Sequence, residues 1–265
     1  EFSSISKSGL TQVKQNSGRA GRKSPLSFYT EENMEDAMER VRNFINERVL
    51  PEKAEVLFGS AKHFEEEMMM YDCAIREVRT KLEVLNEELS VRYNRNPIKH
   101  IKTRLKRPVS ILKKMRSKGY EISIESMTEH LNDVAGIRVV CYFIDDIYDI
   151  ARWLAKQDDI RLLKVKDYIR SPKPNGYRSL HMIIEIPVFF LEEKRMMRVE
   201  VQIRTVAMDF WASLEHQLRY KKDLEGLENA EEIGVELKQC AETIAQTDEQ
   251  MQSIREKIGV FTELT

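Results

Sequence analysis

The stretch "RVEVQIRT", residues 198–205, alternates charged or polar side chains with branched apolar ones. An alternation with a period of two is typical of a β-strand that buries one face and leaves the other open. Val199, Val201 and Ile203 would therefore pack into a core. The opposite face would present a row of polar side chains, formed by Arg198, Glu200, Gln202 and Arg204. The simpler explanation is that this row is an ordinary solvent-exposed sheet face. Whether it belongs to a binding site depends on the residues that neighbouring strands place beside it.

A second stretch would place polar groups beside this row. "NGYRSLH" leads into "MIIEIPV", which is rich in branched apolar residues and is predicted to be a strand. In an extended chain Tyr177, Ser179 and His181 would share one face, since side chains two apart point the same way. Asn175 and Gly176 would form the turn into the strand.

A third predicted strand, "AGIRVVCYF", adds Arg138 and is preceded by Asp133. If the three strands adjoin, cations and a carboxylate converge on one concave surface, which suits a polyphosphate and a metal ion. Asp133 and Glu200 would together offer hard oxygen ligands to Mg²⁺, an ion that also keeps several waters. A carboxylate at the end of a helix is the alternative explanation for Asp133.

Composition narrows the class of protein. The chain has 265 residues, of which 42% are apolar, so a sizeable core can form. A net charge of -1 argues against a dedicated duplex-DNA binder. Three widely spaced cysteines without a C-x-x-C pair fit a reducing compartment and give no zinc or disulfide pattern. The sequence lacks a signal peptide or a run long enough to cross a bilayer, so a cytoplasmic location is expected.

Residues 99–119 form a basic stretch with nine lysines and arginines and no acidic residue. Such a run is usually solvated surface or an RNA-binding patch, and its place before the polar strands makes triphosphate binding an equal alternative. The sequence contains neither a G-x-x-x-x-G-K-[ST] loop nor a G-x-G-x-x-G turn. A nucleotide would therefore have to be held by side chains.

Periodicity predicts helices over 31–49, 62–94 and about 228–258, with shorter helices between the strands. Because some strands follow one another directly, the expected fold class is α+β, a mixed β-sheet flanked by helices. The C-terminal helical segment carries apolar positions beyond the apparent needs of a core, which predicts a homo-oligomer. Helices folded back on their own domain are the alternative. The positions are Ile233, Leu237, Ile244, Met251 and Ile254.

Four motifs, in order and spacing, resemble the synthetase domain of RelA/SpoT-type enzymes. They are "RLKRPVSI", "NDVAGIRVVCYF", "NGYRSLHMIIE" and "VEVQIRTVAMDFWASLEH". The resemblance covers roughly residues 90–260, and the chain length is similar to that of a small alarmone synthetase. It implies a nucleotidyltransferase-like domain with helical N- and C-terminal extensions. It also implies Mg²⁺-dependent transfer of pyrophosphate from ATP to the 3′-hydroxyl of GDP or GTP, giving ppGpp or pppGpp and AMP in the stringent response.

The resemblance also implies roles for individual residues. Asp133 and Glu200 match the metal-binding and catalytic carboxylates, and Glu200 would accept the proton of the 3′-hydroxyl. Positions expected to bind ATP, with the two arginines sandwiching the adenine, are Arg104, Arg138, Lys106, Ser110 and Lys113. Positions expected to bind GDP or GTP, with the tyrosine stacked on guanine, are Tyr177, His181, Lys173, Lys166, Gln202 and Glu215.

Composition and the resemblance together predict the domain boundaries. We expect a disordered tail at 1–28, which is rich in Ser, Gly, Lys and Arg, a helical region at 29–97, a catalytic core at 98–222 and oligomerising C-terminal helices at 223–265. The resemblance implies that the oligomer is a homotetramer. The family's hydrolase domain needs a His-Asp dipeptide, and none of the five histidines is followed by Asp, so no hydrolase activity is expected. Positions that bind an activating alarmone in one tetrameric subgroup hold His100, Lys102 and Asp209 here, which leaves such activation open.

Two other functions stay open from the sequence. One is a toxic relative that pyrophosphorylates adenosine nucleotides or the tRNA 3′ end, with the basic stretch contacting RNA. The other is an inactive RNA-binding or scaffold protein. Retention of both Asp133 and Glu200 argues against the inactive protein, because such a protein has no use for that pair.

Overall fold

The computed structural model describes residues 61–221 and 230–259. The predicted tail at 1–28 and the predicted helix at 31–49 lie outside these residues. The described helices are α1 (Ala61–Tyr93), α2 (Pro108–Ser117), α3 (Ile124–His130), α4 (Ile144–Ala155), α5 (Val206–Lys221) and α6 (Ala230–Ile258). The strands are β1 (Ile98–Leu105), β2 (Ala135–Cys141), β3 (Arg161–Asp167), β4 (Leu180–Phe189) and β5 (Lys194–Thr205).

The five strands form one sheet in the order β1-β2-β5-β4-β3. β2 and β5 run parallel, whereas the β1/β2, β5/β4 and β4/β3 pairs are antiparallel. The predicted α+β class, a mixed sheet flanked by helices, is confirmed. β5, which contains the stretch 198–205, lies at the centre of this sheet, between β2, which carries Arg138, and β4, which carries His181.

One face of the sheet carries the main hydrophobic core. Val199, Val201 and Ile203 are fully buried and pack in one cluster with α1 and α4, through residues such as Val78 and Ile150. Burying one such side chain stabilises the fold by about 1.5–3 kcal/mol. Because side chains alternate along a strand, this burial commits the other face of β5 to the polar row, as predicted.

The N-terminal helical region is not separate from this core where it is described. α1 contributes Tyr71, Ala74 and Leu82 to the same cluster as the strands. α1 ends at Tyr93, where Asn94 adopts a left-handed φ of 49° and Pro97 follows three residues later. Both features stop a helix. The expected domain boundaries themselves stay predictions. None of the helices within 61–221 and 230–259 is long and apolar enough to cross a membrane.

The basic stretch contains a strand, β1, that the sequence analysis does not predict. The apolar residues of β1 that lie toward the core are Ile98, Ile101 and Leu105, and the step of three between the first two breaks the period of two. An irregularity in the pairing between Ile98 and His100 causes this spacing, because an extra residue shifts the alternation. Three exposed basic side chains on an edge strand further hide the pattern.

The long C-terminal helix α6 folds back on its own domain. The Trp211 indole nitrogen donates a hydrogen bond to the Leu237 carbonyl at 2.9 Å, and Ala241 is buried against the same ring. Further along, buried Asp248 accepts a hydrogen bond from the Thr205 hydroxyl at 2.5 Å. The predicted apolar positions divide between two faces, since Ile244 packs against the domain while Met251 and Ile254 are exposed. Homo-oligomerisation stays a prediction.

The contact between α6 and the end of β5 should depend on pH. Burial raises the pKa of Asp248 from 3.8 to about 6, although the Thr205 hydrogen bond acts in the opposite direction. The folded state thus prefers the protonated acid. The resulting stability is fully present below about pH 4 and is lost as the pH rises through 6. The shift corresponds to about 3 kcal/mol at most.

We therefore expect Asp248→Asn to raise the free energy of unfolding relative to wild type at pH 8 but much less at pH 4.5. Asparagine retains the shape of the acid without a charge to desolvate. Urea denaturation at several pH values measures the difference, with the exposed Glu236→Gln as the matched control. A difference that stays constant between pH 4.5 and 8 would contradict a raised pKa for Asp248.

Candidate active site

Polar side chains cross the open face of the sheet in a continuous row. The strand register places Lys102 opposite Arg138, Arg138 opposite Gln202, Gln202 opposite His181, and His181 opposite Lys166. All five strands therefore contribute one residue, and the expected convergence of the three strands is confirmed. Four of the five members are cationic or can become so, which makes this face attractive to anions.

A second row lies two residues away and includes the carboxylate of Glu200. Gly136 on β2 stands opposite both Arg104 on β1 and Glu200 on β5. The absence of a side chain at Gly136 leaves space between the two. Arg104 and Arg138 are diagonal neighbours, a relation that separates residues by about 7–8 Å. A flat ring that lies between two groups, with one group in contact with each of its faces, requires about 7–8 Å between those groups. Each of the two contacts takes roughly 3.5–4 Å.

Glu200 is held by two neighbours on the open face. His181 Nδ1 lies 3.4 Å from one carboxylate oxygen, and Gln202 Nε2 donates to the other at 2.9 Å. Burial raises the pKa of Glu200, but the hydrogen bonds from His181 and Gln202 outweigh it and hold that pKa below its ordinary value. The side chain is therefore ionised at neutral pH, which is the state that can accept a proton.

Asp133 immediately precedes β2 and is bound by two lysines. Lys106 Nζ and Lys114 Nζ lie 2.9 and 2.8 Å from the same carboxylate oxygen, Oδ2. Burial raises the pKa of Asp133, and the two lysines more than offset this, so that the pKa falls below its ordinary value. The charge of Asp133 also raises the pKa of Glu200, which places the two carboxylates within electrostatic reach of each other.

This carboxylate pair fits a divalent cation. The other oxygen of Asp133, Oδ1, is buried and has no hydrogen-bond partner. A buried acceptor in that condition costs about 1–3 kcal/mol unless a ligand, an ion or a water satisfies it. Mg²⁺ binds through one or two carboxylates and takes its other ligands from water and phosphates. Over the described ranges no group of three or more His, Cys, Asp or Glu side chains is arranged to hold a metal ion.

Tyr177 and His181 meet, as the sequence predicts. The Tyr177 hydroxyl and His181 Nε2 are 2.8 Å apart, so His181 connects Tyr177 to Glu200. The Arg204 guanidinium donates a hydrogen bond to the same hydroxyl at 2.6 Å and lies 5.0 Å from the tyrosine ring centroid. Lys173 Nζ is 4.6 Å from that centroid. Burial raises the pKa of Tyr177, and Arg204 partly offsets this effect.

Ser179 belongs to the same group of side chains but lies deeper than Tyr177 and His181. It is fully buried, and its hydroxyl donates a hydrogen bond to the Ile203 carbonyl at 3.2 Å and accepts one from Arg204 Nε at 3.4 Å. β4 begins only at Leu180, so Ser179 lies in the loop that precedes the strand. His181 and Tyr177 reach each other through their long side chains.

Arg204 lies buried at the centre of a wider hydrogen-bond network. No clear role for this arginine follows from the sequence. Besides Tyr177, its guanidinium donates hydrogen bonds to the Gln202 side chain at 2.7 Å and to Asp209 Oδ1 at 3.3 Å. Arg138 reaches the same oxygen of Asp209 at 3.2 Å. Asp209, on the first turn of α5, was not predicted to support the site. The network joins Arg138 on β2 to Tyr177 beside β4.

The remaining predicted residues lie around these groups. Lys166 is exposed at the end of β3, and Glu215 on α5 accepts a hydrogen bond from the Asn175 side chain at 3.2 Å. Ser110 is half-buried in the first turn of α2, whereas Lys113 is exposed. The lysine of α2 that reaches Asp133 is Lys114, which was missed. Its spacing of four residues from Ser110 could have identified it, because such residues share a helix face.

The sequence and the fold of this chain are similar to those of known proteins. The sequence profile described as "Region found in RelA / SpoT proteins" matches residues 103–225. GTP pyrophosphokinase YwaC of Bacillus subtilis is 43% identical over 192 residues, which span 72% of this chain and 90% of that protein. Small alarmone synthetase 2 of the same organism superimposes with a TM-score of 0.66 at 41% identity, covering 73% of this chain and 98% of the other.

A further solved structure is small alarmone synthetase 1 of Bacillus subtilis bound to its product pppGpp. It is similar with a TM-score of 0.68 at 31% identity and covers 75% of this chain and 99% of that one. The sequence matches and the shared fold thus have the same explanation: this chain belongs to the RelA/SpoT family.

Proposed function

We propose that the protein is an alarmone synthetase that transfers pyrophosphate from ATP to the 3′-hydroxyl of GDP or GTP. The products are ppGpp or pppGpp and AMP. The observation that carries this proposal is the ionised Glu200, held between His181 and Gln202 beside the cationic row and within electrostatic reach of Asp133. The names of its relatives, which are GTP pyrophosphokinases and small alarmone synthetases, support the same reaction.

In this proposal Glu200 is the general base. A hydroxyl is a poor nucleophile, so its proton must move to a nearby group as the oxygen attacks. The 3′-oxygen attacks the β-phosphorus of ATP, the bond from that phosphorus to the α,β-bridging oxygen breaks, and AMP leaves. The proton passes to Glu200. His181 and Gln202 fix the orientation of the carboxylate, which keeps it in reach of one substrate atom.

The donor nucleotide would occupy the side of the face formed by β1 and β2. Arg104 and Arg138, at diagonal positions, would hold the adenine between their guanidinium planes. Lys106 and Lys114 would lie beside the phosphates, with Asp133 between them. Asp133 and Glu200 would hold Mg²⁺, which when bound neutralises charge on the donor phosphates. Ser110 and Lys113 belong to the same proposed ATP site on the sequence resemblance alone.

The acceptor would occupy the side formed by β3, β4 and the loop between them. Tyr177 would stack on the guanine base, and Lys173 would exchange its present contact with that ring for a contact with the acceptor's phosphates. His181, Lys166, Gln202 and Glu215 complete the proposed acceptor site. A cytoplasmic location, a homo-oligomer built on the C-terminal helices and RNA contact through the basic stretch stay predictions.

One incubation tests the proposed function against its alternatives. The protein is mixed with ATP, Mg²⁺ and one acceptor at a time, namely GDP, GTP, ADP or deacylated tRNA, and the products are separated by chromatography. Conversion of GDP or GTP with one AMP formed per acceptor, abolished by EDTA, is the expected result. Conversion of only ADP or tRNA would identify the toxic type of relative. Absence of any transfer would favour an inactive RNA-binding or scaffold protein.

The substitution Glu200→Gln should reduce kcat by at least about 100-fold, the usual scale for loss of a general base. Glutamine retains the size and most hydrogen bonds of the side chain but cannot accept the proton. The fold should persist, because Glu200 lies on the open face. Initial rates and urea denaturation measure the two effects, with the exposed Glu193→Gln as control. Near-normal turnover in Glu200→Gln would exclude Glu200 as the base.

Two substitutions of Tyr177 should separate stacking from hydrogen bonding. Tyr177→Ala should raise the KM for GDP by roughly 5- to 150-fold, equivalent to about 1–3 kcal/mol of lost stacking. Tyr177→Phe retains the ring but loses the bonds to His181 and Arg204, and a smaller rise is expected. Both should leave the KM for ATP nearly unchanged. If Tyr177→Ala raised the KM for ATP and spared that for GDP, the two nucleotide sites would be assigned in reverse.

Adjacent lysines of α2 offer a matched test of the donor site. Lys114→Met removes an ammonium group that is 2.8 Å from Asp133, and a lost hydrogen bond to a charged group costs about 1.5–3 kcal/mol. We therefore expect kcat/KM for ATP to fall by about tenfold or more. Lys113→Met, which alters an exposed side chain, should change it by less than about twofold. A larger fall in kcat/KM for Lys113→Met than for Lys114→Met would instead favour Lys113 as the ATP-binding lysine, as predicted from the sequence.

A further inference from the structure

The loop between β3 and β4, residues 168–179, rests directly on α6. Gly176 in this loop is buried and has a left-handed φ of +89°. A Cβ atom added there would lie 2.6 Å from the Cβ of Ala241, a distance that real side chains do not adopt. The loop backbone therefore approaches the helix as closely as a glycine permits, and a larger side chain on either partner must separate them.

Arg178 fastens the loop to the helix. Its guanidinium donates hydrogen bonds to the Gly176 carbonyl at 3.2 Å and to the Ala241 carbonyl at 3.4 Å. One side chain thus ties the backbone of the loop to the backbone of α6. No role for Arg178 follows from the sequence, although it lies between Tyr177 and Ser179 in the motif "NGYRSLH".

The ring proposed to stack on guanine belongs to the same contact. Tyr177 packs against a small apolar cluster of Trp211, Ala212 and Ala241, which Ile244 also joins. The hydrogen bond from Trp211 to Leu237 fixes α5 against α6, so both helices support the ring. A small cavity beside this contact is lined by Gly176, Arg178, Met208, Trp211, Ala241, Ile244 and Ala245.

We propose that α6 determines the affinity for the acceptor nucleotide without contacting it, with Ala241 and Arg178 as the positioning residues. This inference rests on the proposed function. Ala241 limits how close the helix comes to the loop, and Arg178 holds the loop at that distance. Because the proposed adenine site lies on β1 and β2 and shares no residue with this contact, the main effect is expected on the acceptor.

The test is a pair of adjacent substitutions on α6. Ala241→Leu places a larger side chain against Gly176, and overpacking of this kind usually costs 1–3 kcal/mol. Displacement of the loop is expected to raise the KM for GDP by at least about fivefold. The KM for ATP and kcat at saturating GDP should stay within about twofold of wild type. Cys240→Leu places the same side chain at the neighbouring exposed position and should change none of these constants.

Arg178 variants keep the proposal testable if Ala241→Leu fails to fold. Arg178→Met removes both hydrogen bonds and should also raise the KM for GDP selectively, while Arg178→Lys should recover part of the loss. Thermal unfolding identifies which variants are folded. An unchanged KM for GDP in the folded variants, or an equal rise in the KM for ATP, overturns the inference alone. A wild-type protein that transfers no pyrophosphate overturns the proposed function, and this inference with it.

Discussion

The open face of the sheet depends on the hydrogen bonds of one buried group, the guanidinium of Arg204. Arg204 is only 4% exposed, and a charge removed from water must regain hydrogen bonds and an opposite charge from the protein. It obtains them from Tyr177, Gln202, Asp209 and the Ser179 hydroxyl. Each of these groups is thereby fixed in position. The requirement to satisfy one cation thus orders residues from β5, α5 and the loop before β4.

The two carboxylates of the site are kept ionised by different means. Two ammonium groups hold Asp133 in its charged form, whereas a histidine and an amide hold Glu200. Lysines surrounding Asp133 provide positive charge where a polyphosphate would lie. The neighbours of Glu200 leave it free to exchange a proton, because neither is a permanent cation. One carboxylate, that of Asp133, would therefore serve as a fixed negative charge, and the other, that of Glu200, would serve as a base.

The sequence predicts the architecture well where burial imposes a strict period. The alternation in β5 follows from the core on one side, and the positions of Glu200, Gln202 and Arg204 follow from it. β1 escapes prediction because its irregular pairing puts a step of three between Ile98 and Ile101. The full burial of Ser179 is also not predicted, since this residue lies in the loop before β4 and outside the period of the strand.

Contacts between distant segments set another limit on prediction. The pairing of Lys114 with Asp133, and of Arg178 with the backbone of α6, joins residues that are far apart in the sequence. The local pattern ranks Lys114 above Lys113 only if Ser110 is taken to mark the helix face that meets the site. The family resemblance identifies the motifs, but it does not indicate that Gly176 and Ala241 touch.

The register between β4 and β5 has an evolutionary consequence. The residues that keep these strands aligned, such as Val201 and Ile203, are on the buried face, while the chemically active ones are on the other. A slip by one position would bury Glu200 and expose the valines, so selection for a folded chain already protects the alignment. Single changes at positions of the open face that are not fully buried, such as Glu200, carry no such penalty. Activity and folding can therefore be lost independently, and this architecture can give rise to folded descendants with altered or absent chemistry.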